Sequence, residues 1–193
     1  MKWTIKLANS QDKEIQFVID YCQNWLLKFD TKKLGEIRIN NGRRKGSQTF
    51  YGHCSYPNKK EGIKEFKVVC HINEHCLFPL KHYQRRSPIY FMKDSILIEG
   101  AHEEYELMGK SPNWQLGIRC SAENNSKLTE WVRVYEYVMY DSFDECIASL
   151  FGHEIGHFLS KTKQIKVHNT EIEIDKYADI FLKDYKKYRI DKL

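Results

Sequence analysis

The residues of this chain that are best suited to chemistry lie together at His153, Glu154 and His157. They form the segment His-Glu-Ile-Gly-His, in which the two histidines are four residues apart and therefore share one face of a helix. Two imidazoles in this arrangement can bind one zinc ion, and the Glu154 carboxylate can take a proton from a water molecule that the zinc activates. The pattern predicts metal-assisted hydrolysis.

The sequence around this segment predicts a mostly apolar helix that begins at Asp141 or Ser142 and ends near Ser160. Burying two histidines and a glutamate beside an apolar face costs free energy unless a metal or another partner satisfies them. A metal site is therefore favoured over a chance occurrence of the motif. The apolar positions of the helix are Phe143, Ile147, Leu150, Phe151, Phe158 and Leu159.

A catalytic zinc ion usually has three protein ligands, and the best candidate for the third is Asp175. Asp179 follows four residues later on a predicted third helix, where it could accept a hydrogen bond from a zinc-binding histidine. Ala178 leaves room for this helix to approach the helix of the histidines. Glu171, one turn before Asp175, is the alternative ligand, and the sequence does not choose between the two.

These residues also resemble a known family. His-Glu-Ile-Gly-His followed by Asp-Lys-Tyr-Ala-Asp is similar to the glutamate zincin metallopeptidases, whose pattern is HExxH followed by ExxAD or ExxAN. The size of the chain fits small cytosolic members that resemble SprT-like and ImmA-like proteins. The resemblance covers about the last third of the chain and implies a zincin-like fold.

The resemblance also implies roles for single residues. His153, His157 and the residue at position 175 would bind zinc, Glu154 would be the catalytic base, and Asp179 would orient a ligand. The chain departs from the family pattern at position 175, because aspartate stands where the family has glutamate. Either the third helix lies closer to the histidines, or a neighbouring glutamate, Glu171 or Glu173, replaces Asp175 as ligand.

The rest of the sequence predicts an α+β fold in a single domain, 1–193. An N-terminal helix capped by Ser10 is followed by a small twisted antiparallel sheet from the runs 36–39, 49–54 and 65–72, and by another strand within 131–140. Residues 78–125 have little periodicity and are expected to form an irregular insertion. The N-terminal helix should bury Ile15, Val18, Ile19, Cys22, Trp25, Leu26 and Phe29, and the third helix Ile174, Tyr177, Ala178, Phe181, Leu182 and Tyr185.

The composition is that of an ordinary globular protein, with 41% hydrophobic and 30% charged residues. The sequence has neither an apolar run long enough for a membrane span nor a signal peptide, so we expect a cytoplasmic protein without a membrane partner. Its six cysteines should then be reduced. The net charge of +5 is too small an excess to indicate a nucleic-acid partner by itself.

Other groups of residues carry weaker signals. Histidines and cysteines between His53 and Cys76 could form a second metal site, but their spacing is not that of a zinc finger, and ordinary strand positions explain them better. Basic clusters at 43–45 and 81–86 have the ingredients of a nucleic-acid surface, although solvated loops are favoured. Cys120 could act as third zinc ligand in a deformylase-like site.

These observations predict a zinc-dependent metallopeptidase that cleaves internal bonds of a protein or peptide substrate. Zn²⁺ is the expected cofactor, and Glu154 is the expected general base. Two alternatives remain: a non-catalytic, zinc-containing binding protein that would bind nucleic acid through its basic loops, and a deformylase-like amide hydrolase that would use Cys120.

Overall fold

The computed structural model of the chain contains three helices and ten strands in its described residues, which confirms the α+β class. The chain divides into two compact units, one formed by Met1–Leu80 with Met139–Leu193 and the other by Lys81–Val138. For the described residues that fall within 81–137, the structure describes the backbone alone. The described residues are 1–8, 12–42, 50–84, 89–93, 96–97, 115–121, 124–133 and 136–192.

The first unit contains a mixed four-stranded sheet with the order β1-β2-β4-β3. Strand β1 is parallel to β2, β2 is parallel to β4, and β3 is antiparallel to β4. The prediction of an antiparallel sheet was therefore wrong, and β1 was missed because it precedes the expected first helix. The strands are β1 (Lys2–Lys6), β2 (Leu34–Asn41), β3 (Phe50–Ser55) and β4 (Phe66–Ile72).

Helix α1 (Lys13–Leu26) explains why the first two strands are parallel. A chain that leaves β1, crosses in a helix and returns to the same sheet re-enters it in the original direction. The Asp12 side chain caps α1 by accepting a hydrogen bond from the backbone N–H of Glu14 at 2.8 Å. The predicted cap, Ser10, lies outside the described residues. Most of the predicted apolar face is buried, namely Ile15, Val18, Ile19, Cys22 and Leu26.

Helix α2 (Phe143–Lys161) carries the two histidines, and all but four of its 19 residues are buried. It packs against the sheet through Phe151, whose ring stacks on Trp3 of β1 at 5.8 Å, and through Phe158, whose ring meets Phe66 of β4 at 5.2 Å. Because the sheet covers one side of α2 and other helices cover the opposite side, the helix is buried nearly all round.

Helix α3 (Glu171–Lys192) packs closely against α2. A Cβ atom at Gly156 of α2 would lie 3.0 Å from Cδ1 of Tyr177, which is closer than most side chains permit. Ala178 of α3 is fully buried, as expected for a small residue at a close helix contact. The buried positions of α3 are Ile174, Asp175, Ala178, Phe181, Leu182 and Tyr185, so five of the six predicted core residues are confirmed.

A buried cluster of charges joins the start of α2 to the end of α3. Arg189 Nη1 donates to Asp144 Oδ2 at 2.7 Å, and Arg189 Nη2 donates to Glu145 Oε1 at 2.8 Å. The Tyr185 hydroxyl also donates to Asp144. Both carboxylates are almost fully buried, with 1% of each side chain exposed. The cluster therefore restricts how far α3 can slide along α2.

The second unit contains an antiparallel four-stranded sheet with the order β7-β6-β9-β8. Strands β5 and β10 pair with each other. The predicted strand within 131–140 is divided between β9 and β10, and the region expected to be irregular contains regular strands. No helix in the described part of the chain combines the length and apolar character that a membrane crossing requires. The strands are β5 (Leu80–Gln84), β6 (Ile89–Lys93), β7 (Ile96–Leu97), β8 (Gln115–Ser121), β9 (Asn124–Arg133) and β10 (Glu136–Tyr140).

Candidate metal centre

His153 and His157 lie one turn apart on α2 and direct the same ring nitrogen toward each other. Their Nε2 atoms are 3.2 Å apart, and the side chains are only 18% and 9% exposed. Two nitrogen ligands at the usual distance from a tetrahedral zinc ion are separated by about 3.3 Å. The spacing of the two Nε2 atoms therefore fits a single zinc ion.

Glu171, the first residue of α3, brings a carboxylate to the same point. Its Oε2 atom is 3.3 Å from His153 Nε2, and its Oε1 atom is 3.6 Å from His157 Nε2. Ligand atoms of the three side chains all lie within 4.8 Å of one another, and no other group of this kind occurs among the described residues. The Glu171 side chain is 66% exposed, so the centre is open to solvent on this side.

Asp175 contacts the opposite ring nitrogen of His153. Its Oδ1 atom lies 2.8 Å from His153 Nδ1, and the aspartate is buried. A carboxylate at this position holds the imidazole in the tautomer whose Nε2 atom can bind a metal. Asp179, for which the sequence predicted such an orienting role, lies one turn further along α3 and is half-buried.

Asn169 makes the corresponding contact to His157 and was not anticipated. It lies in the linker between α2 and α3, and its Oδ1 atom is 2.9 Å from His157 Nδ1. Its Nδ2 atom donates to the hydroxyl of Tyr56 at 3.4 Å. Linker residues follow no periodic pattern. The one signal that the sequence offered for Asn169 was its position two residues before Glu171.

Glu154 is buried between α2 and the sheet, with 4% exposure. Its Oε1 atom lies 4.0 Å from His153 Nε2. The carboxylate packs directly against Gly52 of β3, where a Cβ atom would be 2.5 Å from Oε1. Only glycine leaves this space, and sequence reasoning did not single it out. Burial raises the pKa of Glu154 to about 7.

The charges at the centre shift the pKa values of its other groups as well. Burial lowers the pKa of His153, but hydrogen bonds to Asp175 and Glu171 outweigh burial and raise it to about 10. Burial lowers the pKa of His157, and the hydrogen bond from His153 lowers the pKa of Glu171. The two carboxylates therefore favour a proton on His153, and a metal bound at Nε2 would compete with that proton.

The other predicted sites are not assembled in the described part of the chain. Cys70 and Cys76 are buried free thiols, and the histidines and cysteines near them form no metal-binding group of three. His53 and His71 are neighbours with ring centroids 6.0 Å apart. The basic cluster 43–45 and the side chains of 81–86 lie outside what is described, as does the side chain of Cys120 in β8.

Comparison of the chain with models of protein families, with characterised proteins and with solved structures gives no match. The geometry of the centre is therefore the basis for assigning a function to the chain.

Proposed function

We propose that the chain is a zinc-dependent metallopeptidase whose metal ion is bound by His153, His157 and Glu171. The observation that carries this proposal is the convergence of two imidazole nitrogens and a carboxylate at 3.2–3.6 Å from one another. Two histidines and a glutamate are a ligand set typical of catalytic zinc. The buried carboxylate of Glu154 beside them supports a catalytic role over a purely structural one.

The residues of the chain would have distinct tasks in peptide hydrolysis. A bound zinc ion would act as a Lewis acid that activates water and polarises the carbonyl of the scissile peptide. Glu154 accepts the proton that water loses as its oxygen bonds to the carbonyl carbon, and returns the proton to the amine nitrogen as the C–N bond breaks. Asp175 keeps a hydrogen on Nδ1 of His153, which leaves Nε2 free to bind metal.

The position of β3 supports an extended peptide as the substrate. Among the described strands, β3 is paired on one side by β4 and forms the edge of its sheet. An edge strand offers unpaired backbone groups to which an extended peptide can add as a further strand. Gly52 brings this edge against Glu154, so a peptide bound along β3 would pass close to the proposed base.

Metal content and catalysis test the proposal separately. The purified protein, reconstituted with zinc, should hold about one zinc ion per chain, and His153→Ala and His157→Ala should lose it. Glu154→Gln should retain zinc and fold, yet lower the hydrolysis of unfolded casein or quenched peptides by roughly 100-fold or more.

Each negative result has a different meaning. A wild-type protein that binds no zinc would refute the metal site. Full hydrolytic activity in Glu154→Gln would refute the mechanism, whereas tight zinc binding without hydrolysis of any substrate would favour the non-catalytic binding protein. Loss of zinc in Cys120→Ser would favour the deformylase-like alternative.

A further inference from the structure

The direction of the hydrogen bonds around Asn169 follows from the requirement that His157 bind a metal. To bind through Nε2, a neutral imidazole must carry its hydrogen on Nδ1. The atom 2.9 Å from Nδ1 is Oδ1 of Asn169, an acceptor. The Asn169 amide therefore has its N–H group on the other side, where Nδ2 donates to the Tyr56 hydroxyl oxygen at 3.4 Å.

The direction of the hydrogen bond between Asn169 and Tyr56 determines whether the Tyr56 hydroxyl can donate to another group. Its oxygen accepts from Asn169, so its own hydrogen remains available to donate. No side chain or carbonyl in the described part of the chain accepts that hydrogen. Tyr56 directly follows the edge strand β3 and is 39% exposed, which leaves its hydroxyl accessible to a peptide bound along that strand.

Packing holds the Tyr56 ring in place. The ring meets Phe66 edge-to-face at a centroid distance of 5.8 Å, and Lys161 Nζ lies 5.3 Å from the ring centroid. An aromatic neighbour on one strand and a cation on α2 together restrict the ring. The contacts with β4 and α2 therefore restrict the position of the Tyr56 hydroxyl.

We propose that Asn169 is a positioning residue that sets the tautomer of His157, and that Tyr56 is a hydrogen-bond donor to a carbonyl oxygen of the substrate. This inference rests on the proposed zinc site. We call the hydrogen-bonded series His157–Asn169–Tyr56 the relay. Each residue in it donates a hydrogen bond to the next, from His157 to Asn169 and from Asn169 to Tyr56, so that Tyr56 can donate to the substrate. An acceptor such as a peptide carbonyl or a hydroxamate oxygen is the chemical group that Tyr56 recognises.

Three variants of the full chain separate the parts of this relay in a zinc titration against a chelating dye. Asn169→Ala removes the acceptor for His157 Nδ1 and should weaken zinc binding by roughly 10- to 100-fold. Asn169→Asp retains an acceptor, so its zinc affinity should stay within about threefold of that of the wild type. The zinc affinity of Tyr56→Phe should also stay within about threefold, because this variant leaves the His157 contact intact. A fourth variant, Asn169→Leu, fills a similar space without an acceptor and should lose zinc affinity as Asn169→Ala does; retained affinity in this variant would mean that Asn169 merely fills space.

Binding of acetohydroxamate to the zinc-loaded proteins tests Tyr56 without a peptide substrate. Tyr56→Phe removes the donor and should weaken the binding by about tenfold. Asn169→Asp should weaken it similarly, because a carboxylate accepts only and will attract the Tyr56 hydrogen. This combination of retained zinc affinity and reduced hydroxamate affinity is specific to the relay.

The outcomes distinguish this inference from the proposed function. Unchanged zinc affinity in Asn169→Ala, or failure of Asn169→Asp to restore it, would overturn the role of Asn169. Unchanged acetohydroxamate affinity in Tyr56→Phe would overturn the role of Tyr56. A wild-type protein without zinc affinity would refute the metal site and the relay with it, whereas the expected affinities without peptide hydrolysis would support the relay and refute the peptidase.

Discussion

Replacing Arg189 with alanine should strongly destabilise the first unit, because it removes the arginine from the buried charge cluster. The guanidinium donates to Asp144, to Glu145 and, at 3.0 Å, to the hydroxyl of Ser142. Removing one partner of a buried ion pair is more costly than removing both, since a charge then remains buried without compensation. Two carboxylates would be affected at once.

The contacts that remain in Arg189→Ala set the expected loss in the free energy of unfolding. Breaking a buried pair costs about 3–5 kcal/mol. Asp144 keeps the Tyr185 hydroxyl, and Glu145 keeps Lys186, whose Nζ lies 2.8 Å away. Arg189 is itself 27% exposed, so solvent already weakens its interactions. The lower end, about 3 kcal/mol, is therefore expected, and it corresponds to a fall of about 6–12 °C in Tm for a chain of this length.

The loss should also depend on pH. Burial raises the pKa of Asp144, but hydrogen bonds from Ser142, Tyr185 and Arg189 outweigh it and hold the pKa below its usual value. A lowered carboxyl pKa contributes stability that is present above the unfolded pKa of about 3.9 and is lost as pH falls through the folded value. Without Arg189, Asp144 takes up a proton at higher pH. The stability difference between variant and wild type should therefore be largest at neutral pH and should narrow as pH falls toward the folded pKa of wild-type Asp144, which lies below the usual value of about 3.9.

Urea denaturation followed by circular dichroism at several pH values measures this difference. Lys187→Ala is the matched control, because it removes an exposed cation from the same helix and should change the free energy of unfolding by no more than about 0.5 kcal/mol. If Arg189→Ala costs less than about 1 kcal/mol at neutral pH, where about 3 kcal/mol is expected, the cluster does not stabilise the packing of α3 on α2. A loss that stays constant with pH would refute the role of Asp144.

Three further predictions concern the metal centre and its support. Zinc affinity in a dye titration should fall by roughly 10- to 100-fold in Asp175→Ala, which loses the contact to Nδ1 of His153. It should fall further in Glu171→Ala, which loses a proposed zinc ligand; the reverse order would make Asp175 the ligand. Gly52→Ala should retain zinc but lower kcat/KM by about 100-fold, because its Cβ atom would push the Glu154 carboxylate by roughly 1 Å; unchanged kcat/KM would show that this contact does not position the base. Gly156→Val should lower the free energy of unfolding by about 1–3 kcal/mol in urea titrations, because the added methyl groups meet α3, and an unchanged midpoint would contradict the close packing.

The sequence alone determined the features that depend on local periodicity. The position of His153 and His157 one turn apart follows from their spacing, since any helix through this segment places them on one face. The buried faces of α1 and α3 follow in the same way from apolar residues that recur every three or four positions. The α+β class was also evident, because strand-like runs and helical stripes occupy separate parts of the sequence.

The tertiary structure alone decided which carboxylate meets the Nε2 atoms of the two histidines and which meets Nδ1 of His153. Glu171 and Asp175 are four residues apart, about 6 Å along the helix axis, and nothing in the local sequence selects between them. The choice depends on how far α3 slides along α2, and long-range contacts such as those of Gly156 and Arg189 set that position. Gly52 likewise lies beside the Glu154 carboxylate only because β3 packs against α2. Direction and register of packed elements depend on pairings between residues far apart in sequence, which a local pattern does not encode.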